Sequence, residues 1–354
     1  MSIYSVARAL VLVLVALPLV SAAVLPLLGV AARRLALVLA FVHLGVVAAV
    51  ATLALPALDQ RVTTERFPRD VARFAPEFVP GDSGARGASD GQEHQTVWAL
   101  FRLAEPTPPQ PGTAARDRPG PEVQFFLGID GLNLWLVALA SVMLIPAVLV
   151  SWESVKHRPG AFYGWLFLLH GAAVGAFLSF DVVLFYAFFE LTLIPAFFLI
   201  GTWGVGSARR DAARKFFLYT LTGSLLTLVG VVGVVLTNPA ADGTITFSIP
   251  ELMANVQRGM DAAHKKALAG DGAELAAKQS TQMWLFMALM AGFMVKVPIW
   301  PFHTWLPSAY GEAPIGVTVM LSAILSKLGT FGILRLVLPL VPDASIQYGL
   351  PVVG

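Results

Sequence analysis

Repeated runs of about twenty apolar residues constrain this chain more than any other feature, because a run of that length crosses a hydrocarbon layer about 30 Å thick. They read at 9–28, 35–58, 125–150, 162–180, 182–201, 213–237, 282–305 and 314–341. Backbone amides in lipid must be satisfied within their own segment, so runs of this kind fold as helices. The expected fold is an all-α integral membrane protein with about eight transmembrane helices, one of them broken within 282–305. Residues 1–58 hold the first two helices, 59–122 a polar extracytoplasmic insert, 123–341 helices three to eight with a second insert at 239–280, and 342–354 a short end.

Composition agrees and removes several function classes. Of 354 residues, 56% are hydrophobic and 13% charged, far from the balance of a water-soluble domain. A net charge of +2 gives no electrostatic footprint for nucleic acid. With no cysteine, the chain has no disulfide, no thiolate-held iron–sulfur cluster and no thiolate nucleophile. The segment around Arg8 and Ser21-Ala22-Ala23 loosely imitates a secretory signal. Apolar residues continue to Leu28 and are followed by Arg33-Arg34, which favours a first spanning helix with a basic anchor.

The short loops at 29–34, 152–161 and 203–212 carry Arg33, Arg34, Lys156, Arg158, Arg209 and Arg210, and strict alternation of spans puts all three on one side. By the positive-inside rule that side is cytoplasmic, so the N-terminus and both inserts face outward. The first insert reads as irregular loop, with Pro106 to Gly112 as its clearest linker; in the second, 253–278 reads as an amphipathic helix on the outer surface.

Charged residues midway along a span cost roughly 2.5 to 3.5 kcal/mol each on insertion scales and persist where they have a partner, water or a function. Glu190, Lys296 and Lys327 are such residues, each near the centre of its span. A carboxylate and two ammonium groups at one depth can pass a proton laterally, since the acid lowers the cost of charging one lysine and the other lysine raises it. A buried ion pair would explain Glu190 with one lysine, but one carboxylate cannot neutralise two.

Lys296 precedes Val297-Pro298-Ile299-Trp300-Pro301-Phe302-His303. Pro298 and Pro301 each remove a helical donor and would free the carbonyls of Met294 and Val297. Irregular backbone at this depth lines a cavity or is packed in protein, which makes the segment the expected place for internal water. His303 follows toward the cytoplasmic end, and an imidazole is the side-chain type suited to proton exchange near neutral pH. Lys215 lies near the cytoplasmic surface, where snorkelling is its default role. Glu312 reads as an interfacial acid that helps load protons, and Asp181 as the N-cap of a helix. His43 and His170 have no second histidine at a spacing that would make a haem site.

These segments resemble the antiporter-like proton-pumping subunits of respiratory complex I, of the subunit M (chain 4) type. The residues that carry the resemblance are Gly128-Ile129-Asp130-Gly131-Leu132-Asn133; Phe185-Tyr186 with Phe189-Glu190 and Leu193-Ile194-Pro195; Lys215 to Thr220; Lys296-Val297-Pro298 with Pro301 to Pro307; and Leu325 to Gly329 with Leu334-Arg335. The resemblance implies an antiporter-like half-channel in which Glu190, Lys296 and Lys327 carry protons, driven by quinone reduction elsewhere. It implies no cofactor in this chain; NADH, FMN, iron–sulfur clusters and quinone belong to partner subunits. Neighbouring membrane subunits and the lipid bilayer are the expected partners, and a bacterial inner membrane the expected location.

Two departures stand out. Relatives carry a histidine where this sequence has Ser308-Ala309-Tyr310, and a phenol, titrating near 10, is a poorer relay at neutral pH. Relatives also continue into a second, inverted half-channel, so the sequence, ending at Gly354, is expected to be truncated or completed by another polypeptide. The rival functions are a subunit of a multi-subunit cation/proton antiporter or membrane-bound hydrogenase, and a purely structural scaffold.

Overall fold

A computed structural model of the chain describes residues 3–64, 97–103, 121–241 and 243–349. The Pro106–Gly112 linker and most of the first insert lie outside the described residues.

Helix α1 (Ile3–Val24) and helix α2 (Ala32–Thr64) are joined by a tight turn at Leu25–Ala31 in which Gly29 takes φ 53°, a conformation that glycine adopts without strain. They fold as an antiparallel hairpin. Helices α3 (Asn133–Ser154) and α4 (Pro159–Leu178) follow, and then α5 (Val182–Leu191) and α6 (Leu193–Trp203), which form one span interrupted at Thr192. Helix α7 (Arg209–Thr237) crosses again. Helix α8 (Ile249–Leu268) packs against α9 (Ala273–Lys296), which stops beside the two prolines. Chain direction resumes in α10 (Trp305–Glu312) and α11 (Ile315–Leu340), the latter widened by π turns at Leu321–Leu325 and Ile333–Val337.

Six segments among the described residues are long and apolar enough to cross a membrane. The first of them contains both legs of the α1–α2 hairpin, so seven of the eight expected crossings are found among the described residues, and α9 is not one of them.

The loop contacts sort the molecule into two ends. At one end Arg33 Nη2 donates to Val155 O at 2.7 Å, Trp203 Nε1 to His157 O at 2.8 Å, and Val205 N to Glu312 O at 2.8 Å. At the other end Gly128 N bonds Leu178 O, Phe180 N bonds Phe126 O, and Val182 N bonds Phe247 O. The three arginine- and lysine-bearing loops therefore share an end, as the alternation of spans predicted.

Two segments differ from the sequence reading. Residues 125–132 are not the start of a span: strand β2 (Glu122–Phe126) pairs antiparallel with β1 (Val97–Arg102), and the helix begins only at Asn133. The run starts in a strand and continues as irregular backbone rather than as a helix, a distinction that hydrophobicity alone does not draw. The expected surface helix at 253–278 is instead α8, ending at Leu268, then a turn at Gly270 with φ 99°, after which α9 starts nine residues before the predicted 282. Helix α8 buries Ile249, Leu252, Val256, Met260 and Ala263, a 3–4 spacing that makes one apolar stripe.

Close helix contact replaces a hydrophobic driving force inside lipid. At the α7–α9 contact a side chain on Gly292 would strike Thr227 and the backbone of Gly223, so only glycine permits that approach.

Candidate proton-transfer site

Helix α9 ends at Lys296 because Pro298 cannot supply the next helical donor. The freed carbonyls find other partners: Ile299 N bonds Met294 O at 3.0 Å, and the Trp305 indole donates to Val295 O at 2.8 Å. Met294 O, expected to be open, is thus closed by the chain itself. Phe302–Thr304 form one short turn before α10.

Lys296 is 3% exposed. Its Nζ donates to the backbone oxygen of Phe189 at 2.8 Å and lies 3.4 Å from the centre of the Phe189 ring. Phe189 O is available because α5 breaks at Thr192, whose hydroxyl also donates to it at 2.7 Å. The next residue is Glu190. Its Oε2 accepts from Ser224 Oγ of α7 at 2.9 Å, while Oε1 is buried without a hydrogen-bond partner among the described residues. Glu190 and Lys296 act on each other electrostatically but form no ion pair within 4.0 Å. The arrangement differs from a closed salt bridge: an ammonium held by a carbonyl and a ring face, next to a carboxylate held by a hydroxyl.

Lys327 does not join them. Its side chain is exposed and folds back to donate to Ser322 O at 3.0 Å. Gly329, two residues on, packs against Val297 and the Phe293 carbonyl of α9, and a two-residue step on a helix turns the side chain by about 200°. Equal depth therefore did not imply contact.

At the arginine-rich end a cavity of about 320 Å³ is lined by Asp211, Lys215, Ser308, Gly311 and Glu312, with Ala208, Ala212 and Pro307. Glu312 Oε2 is buried without a hydrogen-bond partner among the described residues, and its carboxylate rests on Gly206, where a side chain would collide with it. Lys215 and Glu312, far apart in sequence, are brought to one cavity. His303, between Lys296 and Pro307 in chain order, and Tyr310, among the cavity's residues in chain order, are half-buried, and His303 Nδ1 is buried without a hydrogen-bond partner among the described residues.

Sequence reasoning missed Ser224 and the Phe189 carbonyl. A signal for the first exists, since Thr220, Ser224 and Thr227 recur at helical spacing on α7 and all three are buried. It also missed what Asp130 and Arg335 do. Arg335, fully buried on α11, donates through Nη2 to Asp130 Oδ2, with its guanidinium 4.6 Å from the Phe180 ring centre and 5.0 Å from that of Phe331. Asp130 Oδ1 accepts from Leu132 N and Asn133 N at 2.9 and 2.8 Å, and Asn133 Nδ2 donates to Gly128 O and Phe177 O. The Gly128–Asn133 motif is thus a clamp joining the start of α3 to the ends of α4 and α11.

Asp181 caps α5 as expected, accepting from Val183 N and Leu184 N at 2.9 and 3.0 Å, and from Gln124 N at 2.9 Å. Burial pushes its carboxyl up to about 6, against three amide donors that oppose the rise. A raised folded-state value favours the protonated form in the folded chain. That contribution is complete below about pH 4 and is lost as pH rises through about 6, at most about 3 kcal/mol. Asp181→Asn keeps the acceptor without the ionisation; in thermal melts from pH 4 to 7 the wild type should lose stability relative to this variant, and parallel curves would contradict the assignment.

Residues 179–353 match the family model described as NADH:quinone oxidoreductase/Mrp antiporter, TM. Over those residues the chain is similar to the antiporter-like family. It is 37% identical over 223 residues to the F(420)H(2) dehydrogenase subunit M of Methanosarcina mazei, a match covering 63% of this chain and 41% of the relative. It is 35% identical over 231 residues to the NADH-quinone oxidoreductase subunit M of Pseudomonas aeruginosa, covering 64% and 42%. Respiratory complex I from Thermus thermophilus contains a chain that superposes with a TM-score of 0.62 at 25% identity, covering 96% of this chain and 55% of that one. A chain of the Mrp complex from Dietzia shares the fold at 19% identity with a TM-score of 0.61. The chain thus spans about two fifths of the length of the curated relatives it matches. Within the antiporter-like family match fall Glu190, Lys215, Lys296, His303, Glu312 and Lys327, whereas the Gly128–Asn133 clamp lies before it. The subunit M and chain 4 resemblance read from the motifs is the one these relatives carry.

Proposed function

We propose that this chain is a proton-translocating membrane subunit of a quinone-reducing complex, in which Lys296 takes up and releases the proton and Glu190 sets how readily it does so. The observation that carries this reading is the buried ammonium of Lys296 placed at a helix break beside, but not bonded to, a carboxylate. A lysine in a fully formed ion pair is locked in its charged form. Here a small change in the Glu190–Lys296 separation alters the free energy of charging, because Coulomb interaction in a poorly polarisable interior varies steeply with distance.

In this reading protons come from the arginine-rich end, which is cytoplasmic, with the N-terminus outward. The Asp211–Lys215–Glu312 cavity collects them, and His303, with Tyr310 nearby, relays them to Lys296. Pro298 and Pro301 keep the helix broken beside Lys296. Lys327, exposed on α11, hands the proton onward to a neighbouring membrane subunit. NADH, FMN, iron–sulfur clusters and quinone reside in partner subunits, and the driving force is electrostatic.

The reading is tested by Glu190 variants in the assembled complex. Glu190→Gln removes the charge and should reduce proton pumping about tenfold for each pKa unit by which it shifts Lys296. Glu190→Asp keeps the charge but shortens its reach to Ser224, and should be milder. Equal losses would mean that geometry rather than charge matters. A second reading, cation/proton antiport, draws on the family description that covers both protein types; pumping that requires sodium would favour it.

A further inference from the structure

Helices α1 to α4 hold a polar cluster that the Lys296 region does not use. His43 and His170 are fully buried, their rings packed edge to face with centres 4.6 Å apart. On α2, His43 lies roughly 16 Å from Ala32, the helix start, and on α4, His170 lies about the same distance from Pro159, so both sit at mid-membrane depth.

The sequence of α1 creates one partner for them. Pro18 has no amide hydrogen, so the carbonyl of Leu14 four residues back loses its helical donor. His43 Nε2 supplies the replacement at 3.0 Å. A carbonyl only accepts, so Nε2 of His43 carries hydrogen and its Nδ1 is bare in the neutral ring. Two groups approach that Nδ1: Ser141 Oγ at 3.0 Å and His170 Nε2 at 3.3 Å. Ser141 donates to Val137 O at 2.7 Å, which leaves its oxygen free to accept. His170 Nδ1 is buried and without a hydrogen-bond partner among the described residues.

From this geometry we infer that His43 and His170 form a site for one exchangeable proton, separate from Lys296. A proton from hydronium bonds to Nδ1 of His170; the hydrogen on Nε2 of His170 passes to Nδ1 of His43, breaking one N–H bond and forming another. The positive charge then rests on His43, whose two N–H groups donate to Leu14 O and Ser141 Oγ. Both acceptors are already in place, one of them exposed by Pro18. The groups facing the pair from α1 and α3 are this carbonyl and this hydroxyl. The ionisable residues Arg8, Arg33, Arg34, Glu153 and Tyr163 lie six or more residues away along α1 to α4, and beyond them Glu190 and Lys327 stand on helices packed against α4.

Solid-state nitrogen NMR of the full chain in liposomes, with all six histidines labelled, reads hydrogen on each ring nitrogen. Between about pH 8 and pH 5 one buried ring should go from one N–H to two, and that signal should be missing in His43→Gln. Ser141→Ala, which keeps both rings, should move the midpoint about one pH unit lower by removing an acceptor for the charged ring. Lys296→Ala should leave the titration in place. If both buried rings keep a single hydrogen at every pH at which the chain remains folded, the pair is a structural clasp and the inference is wrong.

Discussion

Lys296→Ala is expected to cut proton pumping coupled to quinone reduction by about a hundredfold, the lower range for loss of a proton-transferring side chain, while leaving the complex assembled. Alanine alone would not separate chemistry from packing, since it also vacates the face of the Phe189 ring and the Phe189 carbonyl. Lys296→Arg makes the separation. Arginine preserves the positive charge, the donor to the carbonyl and the contact with the ring, but does not give up its proton in proteins. A structural cation would be restored by arginine, whereas a proton carrier would remain inactive. Pumping measured in reconstituted vesicles, with assembly checked on the same preparation, decides it: an active arginine variant would refute the role given to Lys296.

Loss of Arg335 should have the largest effect on stability. Arg335→Leu leaves the Asp130 carboxylate, 7% exposed, without its cation, and breaking one side of a buried ion pair costs about 3–5 kcal/mol. Arg335→Lys should fall in between, because an ammonium keeps the charge but loses the flat stacking on Phe180 and Phe331. Unfolding in detergent, followed by helical circular dichroism, measures both. Asp130→Asn combined with Arg335→Leu should recover part of the loss, since the uncompensated charge is gone. Melting of the leucine variant indistinguishable from wild type would show that the clamp does not hold α11.

The depth of the charged residues is legible in the amino-acid sequence. A span rises about 1.5 Å per residue, so counting from its ends places Glu190 and Lys296 at mid-membrane, and the prolines after Lys296 mark the break. The Asp181 cap is legible too, because a short acid before an apolar run has a local reason to be there. What escapes such counting is rotation about the helix axis. Lys327 shares the depth of Lys296 yet faces outward, because Gly329 rather than Lys327 is turned toward α9. His43 and His170, uninformative when read singly, form a pair through a hairpin register that sets Leu14 against His43.

Segment length, apolar content and helix-breaking residues determined a multi-pass helical protein and the order of its spans. Those are properties of a chain against a slab of oil, and they follow from the cost of exposing backbone and charge to it. Tertiary packing decided which groups meet: Ser224 with Glu190, the Phe189 carbonyl with Lys296, Arg335 with Asp130, and Lys215 with Glu312 around one cavity. Contacts between helices depend on azimuth and separation, which small residues such as Gly292 set by how closely they let neighbours approach.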